Sequence, residues 1–461
     1  MRILYDGHVY GLRSVGGVAR YYSQLIRLLP SNWTPVVSAP NVPLLHGPTH
    51  PQLVWKIMPQ NRFPWFGRRA RQARYFRQLY PQLECDVLHP TYYQLLSGEI
   101  ESGPKLPLVI TVYDMIHEKF ASVADRHGKD AARKRKAIEA ATAIICISEN
   151  TKHDLLELYP HVADRVSVIH LASQLVPTEP KLDASSSTKE ARRREALKPE
   201  LRPSGNLSSQ QHSSGSETTG FSPTSRSILS KPSSMQQTIK TRHSSSPTAE
   251  TSPPEPARVP AQPYFLFVGG RGGYKNFDRL LLAWKAVVGR IHDCHLAVVG
   301  DRFRAEEHRR IAELGLRRHV CEYGCVADEQ LQKLYQNAVG LVYPSLYEGF
   351  GIPLLEAMEC GTVVVASRSS SIPEVVDDAA ILFDPTHQDD LTDILLDLLE
   401  RPENRTSWIE RGRRRAALFS WRQTTGATMQ VYRALVTGTQ PGGHDHIVPR
   451  FGWRSNRSSV A

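Results

Sequence analysis

The chain has 461 residues, with 57 Lys and Arg against 46 Asp and Glu and a formal net charge of +11, enough for two domains of ordinary size with residues to spare. The basic balance favours anionic partners such as nucleotide phosphates, lipid headgroups or acidic glycans, and the lack of a zinc knuckle, basic zipper or aromatic RNA-binding signature argues against nucleic acid. The six cysteines are scattered, with no second pair beside Cys321 and Cys325, so neither a disulfide framework nor a metal site follows from them.

In chain order, Arg2–Asp6 reads as a short buried strand, and it follows Met1 so closely that no signal peptide is expected. Gly16 and Gly17 then open a helix over about Val18–Leu29, with Val18, Tyr21, Tyr22, Leu25, Ile26 and Leu29 on one face. A strand, a glycine pair and a helix make a turn suited to phosphate, although such glycines also serve close packing. Arg62–Tyr80 alternates arginines with aromatics. As a helix it has one apolar and one basic face, which suits an ordinary surface helix or contact with an anionic membrane. Asp86–Pro90 and Pro107–Tyr113 are the next strands, the second leading into the polar run Asp114–Glu118. A helix over Lys129–Ala141, a strand over Ala143–Ile147, a helix opened by Ser148 and a strand over Val166–Leu171 complete the first half. Strands alternating with helices imply a parallel, doubly wound sheet.

Between residues 176 and 262 the character changes. Serine, proline and threonine dominate, and Phe221 is the only aromatic. Such a composition lacks the apolar mass to offset ordering entropy, so disorder is expected there, with a short helix near Ser187–Leu197 as one exception. Tyr264–Val268 resumes the strand pattern and runs into Gly269–Asn276 and a helix to about Val288. Strands over His295–Val299 and near Val320–Tyr323, and a helix over Asp328–Asn337, follow. A strand over Ala379–Phe383, a helix over Asp389–Leu399 and a last helix from Trp421 to about Leu435 close the pattern, before a loose tail.

The most informative stretch is Val339–Ser367, which reads as strand, tight loop, helix and strand. Gly349 and Gly351 permit backbone angles closed to other residues and leave no side chain to block a ligand. Pro353 suits the first helical turn and Gly361 its end. A helix N-terminus beside two glycines can seat a diphosphate. Glu348 and Glu356 would repel that anion unless they accept hydroxyl groups. A nucleotide-sugar, with phosphates, a ribose diol and sugar hydroxyls, meets all three demands. The same two glutamates could also be a solvated loop residue and a complement to the helix dipole. Gly270, Arg271 and Lys275 form a second glycine loop after a strand, where a guanidinium fork and a point charge could neutralise a diphosphate.

The run Pro344-Ser-x-x-Glu348-Gly-Phe-Gly-Ile-Pro-x-x-Glu356-Ala-Met, followed by Gly361 and by Ser371-Ile-Pro-Glu374-Val, resembles the signature of retaining glycosyltransferase family 4. Gly16-Gly-Val-x-Arg20-Tyr21 fits the same family. The resemblance covers most of residues 1–174 and 263–437 and implies the α/β architecture called GT-B, two Rossmann-like doubly wound parallel-sheet domains facing a cleft. It divides the chain into an acceptor-side domain over 1–175, the insert 176–262, a nucleotide-sugar domain over 263–420, a helix crossing back over 421–437 and a flexible tail over 438–461. Arg271 and Lys275 would hold the donor phosphates, and Glu348, Gly349, Phe350, Gly351, Ile352, Glu356, Gly16, Gly17 and Gly270 would line the donor. Catalysis would fall to Glu348, Arg271, Lys275 and Asp114, with no metal and no further cofactor. The family commonly has His-Asp where this chain has Tyr113-Asp114; Tyr113 can still donate a hydrogen bond but carries no positive charge at ordinary pH. His117 stands as either a catalytic or an incidental residue.

The implied activity is transfer of a hexose, mannose from GDP-mannose above others by likeness to bacterial polysaccharide mannosyltransferases, to a glycan or lipid-linked glycan. The protein would be cytoplasmic, with peripheral contact at the inner face of the membrane as an added option. Rival readings are an epimerase of the same fold, which needs no acceptor, and an interaction scaffold built on the insert. Because a long flexible connection costs only about 0.6 kcal/mol per doubling of length, replacing Leu182–Glu255 by a short Gly/Ser linker is expected to leave the melting temperature and donor affinity nearly unchanged. Turnover should stay within about threefold, as thermal melts and initial rates would show.

Overall fold

In the computed structural model of the chain, residues 1–11, 17–40, 47–58, 68–93, 106–125, 127–173, 175 and 259–439 are described. The insert up to residue 258, its expected short helix, Gly16 and the tail from residue 440 lie outside them. In the first half the strands are β1 (Arg2–Tyr5), β2 (Thr34–Pro40), β3 (Val54–Met58), β4 (Val87–Leu88), β5 (Val109–Val112), β6 (Ala143–Cys146) and β7 (Val166–Val168). The helices are α1 (Gly17–Arg27), α2 (Arg68–Leu79), α3 (Ile116–Lys119), α4 (Ala121–Ala124), α5 (Lys129–Ala140) and α6 (Glu149–Leu158). The second half carries strands β8 (Tyr264–Val268), β9 (His295–Val299), β10 (Val320–Gly324), β11 (Gly340–Tyr343), β12 (Val363–Ser367) and β13 (Ile381–Phe383). Its helices are α7 (Phe277–Val288), α8 (Ala305–Glu313), α9 (Asp328–Asn337), α10 (Ile352–Cys360), α11 (Ile372–Val376), α12 (Gln388–Glu400), α13 (Arg405–Ala416) and α14 (Trp421–Thr437).

Every strand pairing is parallel. In the first half β3-β2-β1-β4 forms one run and β5-β6-β7 another, and a parallel bridge from Leu88 to Leu108 joins them. The second half has the order β10-β9-β8-β11-β12-β13. In each half the order reverses beside the first strand, between β1 and β4 and between β8 and β11. Open parallel sheets offer their ligand crevice at that reversal, outside the carboxyl ends of the strands.

Strand periodicity divides the second lobe's core between the two faces of its sheet. Phe265, Phe267, Leu296, Val298, Val363 and Val365 pack with α7 and α12 around Trp284, which is fully buried. Their neighbours Leu266, Ala297, Leu341 and Val364 turn to the other face, which carries Leu334 and Tyr335 of α9 and Leu354 and Met358 of α10.

The last helix returns to the first lobe, as the resemblance implies. Trp421 meets the Tyr21 ring at 6.1 Å and Tyr432 meets that of Trp33 at 6.5 Å. Thr424 Oγ1 donates to the His170 carbonyl at 2.8 Å. Deeper in, the Tyr432 hydroxyl lies 2.5 Å from His89 Nδ1, and Thr111 Oγ1 lies 2.9 Å from His89 Nε2. Burial alone drives the His89 imidazole down to about 3, so it docks the helix as a neutral group. An unfolded His89 would take up a proton near its ordinary value of about 6.5. The folded ring refuses that proton, so stability falls as pH drops below the unfolded value. Between about pH 6.5 and about 5, where carboxylates titrate little, melting temperatures should fall, and those of His89→Gln should fall less steeply.

Candidate functional site

The carboxyl ends of β8 and β11 lie side by side at the order reversal of the second sheet. From β8 the chain runs through Gly269–Asn276, and from β11 through Pro344–Gly351. The two loops deliver one charge each. Lys275 Nζ sits 2.7 and 2.9 Å from the two oxygens of Glu348. The rings of Tyr274 and Tyr343 flank the ammonium at 5.5 and 5.6 Å. Glu348 is 7% exposed, so the pair is buried at the ends of β8 and β11. Burial by itself would lower the Lys275 ammonium, but the carboxylate on it outweighs burial and holds it above the ordinary lysine value.

A serine cluster after β12 fixes the Glu348 loop. Ser370 Oγ accepts from the Glu348 N–H at 2.7 Å, and Ser371 Oγ donates to the carbonyls of Glu348 at 2.9 Å and Phe350 at 3.3 Å. Ser367 and Ser369 bond the carbonyls of Ser345 and Leu346. Gly351, at φ +107°, starts α10, and Pro353 falls in its first turn, as expected.

The same loop presses on the first lobe. A Cβ on Gly349 would stand 1.7 Å from the Tyr113 carbonyl oxygen and 3.2 Å from the Asp114 Cβ, so only glycine fits. Around that contact, the Tyr347 hydroxyl donates to Asp154 at 2.5 Å and accepts from the Met115 N–H at 3.3 Å. Thr151 Oγ1 donates to the Gly349 carbonyl at 3.3 Å. Glu374 reaches the start of α6, where it accepts from the N–H groups of Glu149 and Asn150 and pairs with His170 Nε2 at 2.7 Å. A carboxylate is well placed at a helix N-terminus.

Asp114 follows β5 at the mouth of the first lobe. Its Oδ1 accepts from the Ile116 N–H at 3.0 Å and lies 3.7 Å from Lys134 Nζ. Lys134 has no exposed surface and also binds Glu118 at 2.8 Å and the Asp114 carbonyl at 2.9 Å. His117 has a buried Nδ1 with no hydrogen-bond partner. Tyr113 does not take the place of a sugar-facing histidine. Its side chain turns into the lobe, 7% exposed, among the rings of Tyr21, Tyr92 and Tyr93.

Glu356 lies one step further along α10. Its two oxygens accept from Arg20 Nη1 and from the Tyr335 hydroxyl, each at 3.0 Å. Burial raises its carboxyl above the usual range, and Arg20 and Tyr335 offset only part of that. Gly17 approaches Ile352, whose Cδ1 would lie 3.4 Å from a Cβ there, so α1 and α10 meet at their starts. Gly270 faces open space. Two sequence-derived positions are arranged differently from a plain phosphate or donor contact. The Phe350 ring is buried against His170 and Phe419, which leaves its backbone alone for a ligand. Arg271 is paired with Glu307 of α8 at 2.6 and 3.2 Å, bonds the Arg302 carbonyl and lies over the Phe303 ring at 4.8 Å. Its Nη1 is buried without a partner.

The structure therefore unites Lys275 with Glu348 and sets Asp114 against Gly349, while Glu356 and Arg271 answer to other partners. Arg20 and Lys134 were not singled out as site residues from the sequence. Arg20 stood inside the Gly16–Tyr21 run; Lys134 sits in the basic run 133–136 of the expected helix Lys129–Ala141.

Two family models match the chain: "Glycosyltransferase Family 4" over residues 15–172 and "Glycosyl transferases group 1" over residues 249–415. Among curated relatives, the O-antigen chain mannosyltransferase B of Escherichia coli is 36% identical over 178 residues, 38% of this chain and 46% of that protein. The MMP alpha-(1->4)-mannosyltransferase of Mycolicibacterium hassiacum is 41% identical over 130 residues, 27% of this chain and 32% of its own length. The matched part thus spans less than half of either relative. Among solved structures, a sucrose-phosphate synthase from Thermosynechococcus elongatus superposes with a TM-score of 0.65 at 18% identity, covering 95% of this chain and 99% of that one. HepE of Anabaena in complex with UDP-glucose gives 0.61 at 15% identity over 95% and 100%. At these identities the structural likeness concerns the fold, two Rossmann-like domains of the GT-B type.

Because the Tyr113 carbonyl cannot yield to a side chain, Gly349→Ala should force the two lobes apart while leaving each one folded. A displacement of about 1 Å at a reacting centre can cost ~10²-fold, so turnover is expected to fall by at least that factor with little change in circular dichroism.

Proposed function

Because the chain belongs to the family 4 glycosyltransferases, we propose that it transfers a hexose, mannose from GDP-mannose, to a glycan or lipid-linked glycan acceptor in polysaccharide biosynthesis. Transfer retains the anomeric configuration and needs no metal ion. The observation that carries this reading is the buried Lys275–Glu348 pair at the strand-order reversal of the second lobe. The choice of mannose draws on the two mannosyltransferase relatives, and the fold neighbour holding UDP-glucose supplies the competing donor to be tested.

The pair has the right polarity for a glycosyl donor. As the bond from the anomeric carbon to the diphosphate oxygen breaks, negative charge grows on the phosphate and positive charge on the sugar. Lys275 then turns its ammonium to the phosphate, and Glu348 accepts sugar hydroxyls. The two unpartnered N–H bonds of Arg271 Nη1 and the unfilled space at Gly270 suit the diphosphate, and the start of α10 adds its dipole. Glu356 accepts the ribose hydroxyls. The acceptor hydroxyl oxygen forms its bond to the anomeric carbon on the face the diphosphate leaves. Its proton passes to the departing phosphate oxygen, so the products are the new glycoside and the nucleoside diphosphate. Glu348 is a poor covalent nucleophile here, because its charge is already matched by Lys275. Asp114 stands across the Gly349 contact, on the side from which the acceptor enters.

Thermal shifts with a panel of nucleotide-sugars identify the donor, since a ligand at 100 Kd stabilises by about 2.7 kcal/mol. GDP-mannose should give the largest shift, with UDP-glucose as the comparison. Proton NMR of the first turnover should show the donor's anomeric configuration kept, and chelation should leave the rate unchanged. Lys275→Ala and Glu348→Gln should each lower turnover by at least ~10². An inverted product, or variants with near-normal rates, would refute the proposal.

A further inference from the structure

Glu356 is 5% exposed, and among the described residues its only ion-pair partner is Arg20. That arginine belongs to α1, in the opposite lobe. Its fork divides between two carboxylates of the second lobe, with Nη1 on Glu356 at 3.0 Å and Nη2 on Asp328 at 2.7 Å. Asp328 is half-exposed and can rely on water, whereas Glu356 cannot.

We infer that Arg20 is a positioning residue through which the acceptor-side lobe completes the nucleotide half of the donor site, by fixing the Glu356 carboxylate. The inference rests on the reading of Glu356 as the ribose ligand. Its physical basis is the asymmetry of partners around that carboxylate. From α9, Asp328 faces it as a like charge and Tyr335 as a hydrogen-bond donor. From α10 itself come the like charge of Glu359 and the neutral Cys360 thiol, and from β11 the Tyr343 phenol. Among the described residues, Arg20 alone pairs with this Glu356 carboxylate as a positive charge. Removing it leaves a desolvated carboxylate among like charges, which takes up a proton instead. A protonated carboxyl has lost part of the acceptor capacity that a ribose diol needs. With the lobes undocked, the nucleotide site would therefore be incomplete although the second lobe is itself folded.

The test is calorimetric titration of the whole chain with GDP, and with UDP should GDP not bind, across the acid and neutral range. Arg20→Gln keeps N–H donors but no charge; it should weaken nucleotide affinity by at least about tenfold, the equivalent of one pH unit of carboxyl shift. The acid limb of its affinity profile should move to higher pH, because loss of the cation raises the carboxyl further. Arg20→Lys should recover most of the affinity and return the limb. In transfer assays the loss should appear in the donor KM, with kcat at saturating donor within about threefold of wild type. Should Arg20→Gln fold poorly, the cycle with Glu356→Gln decides: once Glu356 is gone, removing Arg20 should cost little more. Equal losses in the Gln and Lys variants with an unmoved acid limb, or additive losses in the cycle, would make Arg20 a mere structural tie and overturn the inference. Failure of the wild type to bind either nucleotide would instead overturn the donor-site reading, and the inference with it.

Discussion

A carboxylate buried beside the ends of parallel strands obliges the chain to bury a cation with it. Removing one member of such a pair typically costs about 3–5 kcal/mol, because the survivor is left as an uncompensated charge. The cleft of this protein is assembled around that constraint. Glu348 takes Lys275 from the neighbouring loop, Asp114 and Glu118 share Lys134, Asp154 takes Lys119 at 2.6 Å, and Glu356 draws Arg20 from the other lobe. These carboxylates are thus already paired and held in place. Preorganised charge of this kind acts without reorganising at the moment of reaction.

The pairing also explains why the lobes dock as they do. A glycine with the Tyr113 carbonyl against its Cα sets the closest approach. Polar contacts then fix the rotation around that point: Tyr347 on Asp154, Glu374 on the start of α6, Ser173 on Glu359, and Arg20 on α9 and α10. The returning helix adds a second attachment through the neutral His89 and the Tyr432 hydroxyl. These polar contacts border an apolar seam in which Phe120 meets the rings of Tyr274 and Tyr347 and His170 meets that of Phe350. An interface of that kind favours one arrangement and still lets the lobes part for ligand exchange.

Much of this was legible in the sequence where one local rule dominates. The bounds of β8 coincide with a continuous apolar run, β9 is an apolar run opened by His295, and α9 begins where Asp328 and Glu329 complement a helix dipole. Strands β2 and β3 escaped notice because Pro35 and Pro40 interrupt the first and Lys56 the second. Helices α8 and α13 bury few apolar side chains, Ile311 in one and Ala416 in the other, so no apolar stripe announces them. At the site, the residue types of Lys275 and Glu348 were readable, but their pairing spans 73 positions and depends on which strands become neighbours. Arg20 and Lys134 carry no local sign of their roles for the same reason. The direction of Tyr113 was hidden too, since a strand's last residue can face either the ligand crevice or the lobe interior.

Arg271 shows how far the charges of the cleft are already committed. Glu307 takes two of its groups, the Arg302 carbonyl shares one of these, and the Phe303 ring covers the guanidinium face. Lys275 is likewise matched by Glu348, and Arg20 faces two carboxylates. A diphosphate entering this crevice therefore meets no excess of positive charge from these residues, and the chain's net charge of +11 is no measure of the field there. What remains is directional: the two N–H bonds of the buried, unpartnered Arg271 Nη1, the dipole at the start of α10, and an ammonium that can share itself between Glu348 and a phosphate. Binding by directed donors makes position matter more than charge count. The loop carrying Glu348 is fastened by Ser367, Ser369, Ser370 and Ser371, and the Tyr113 carbonyl leaves no room for a Cβ at Gly349.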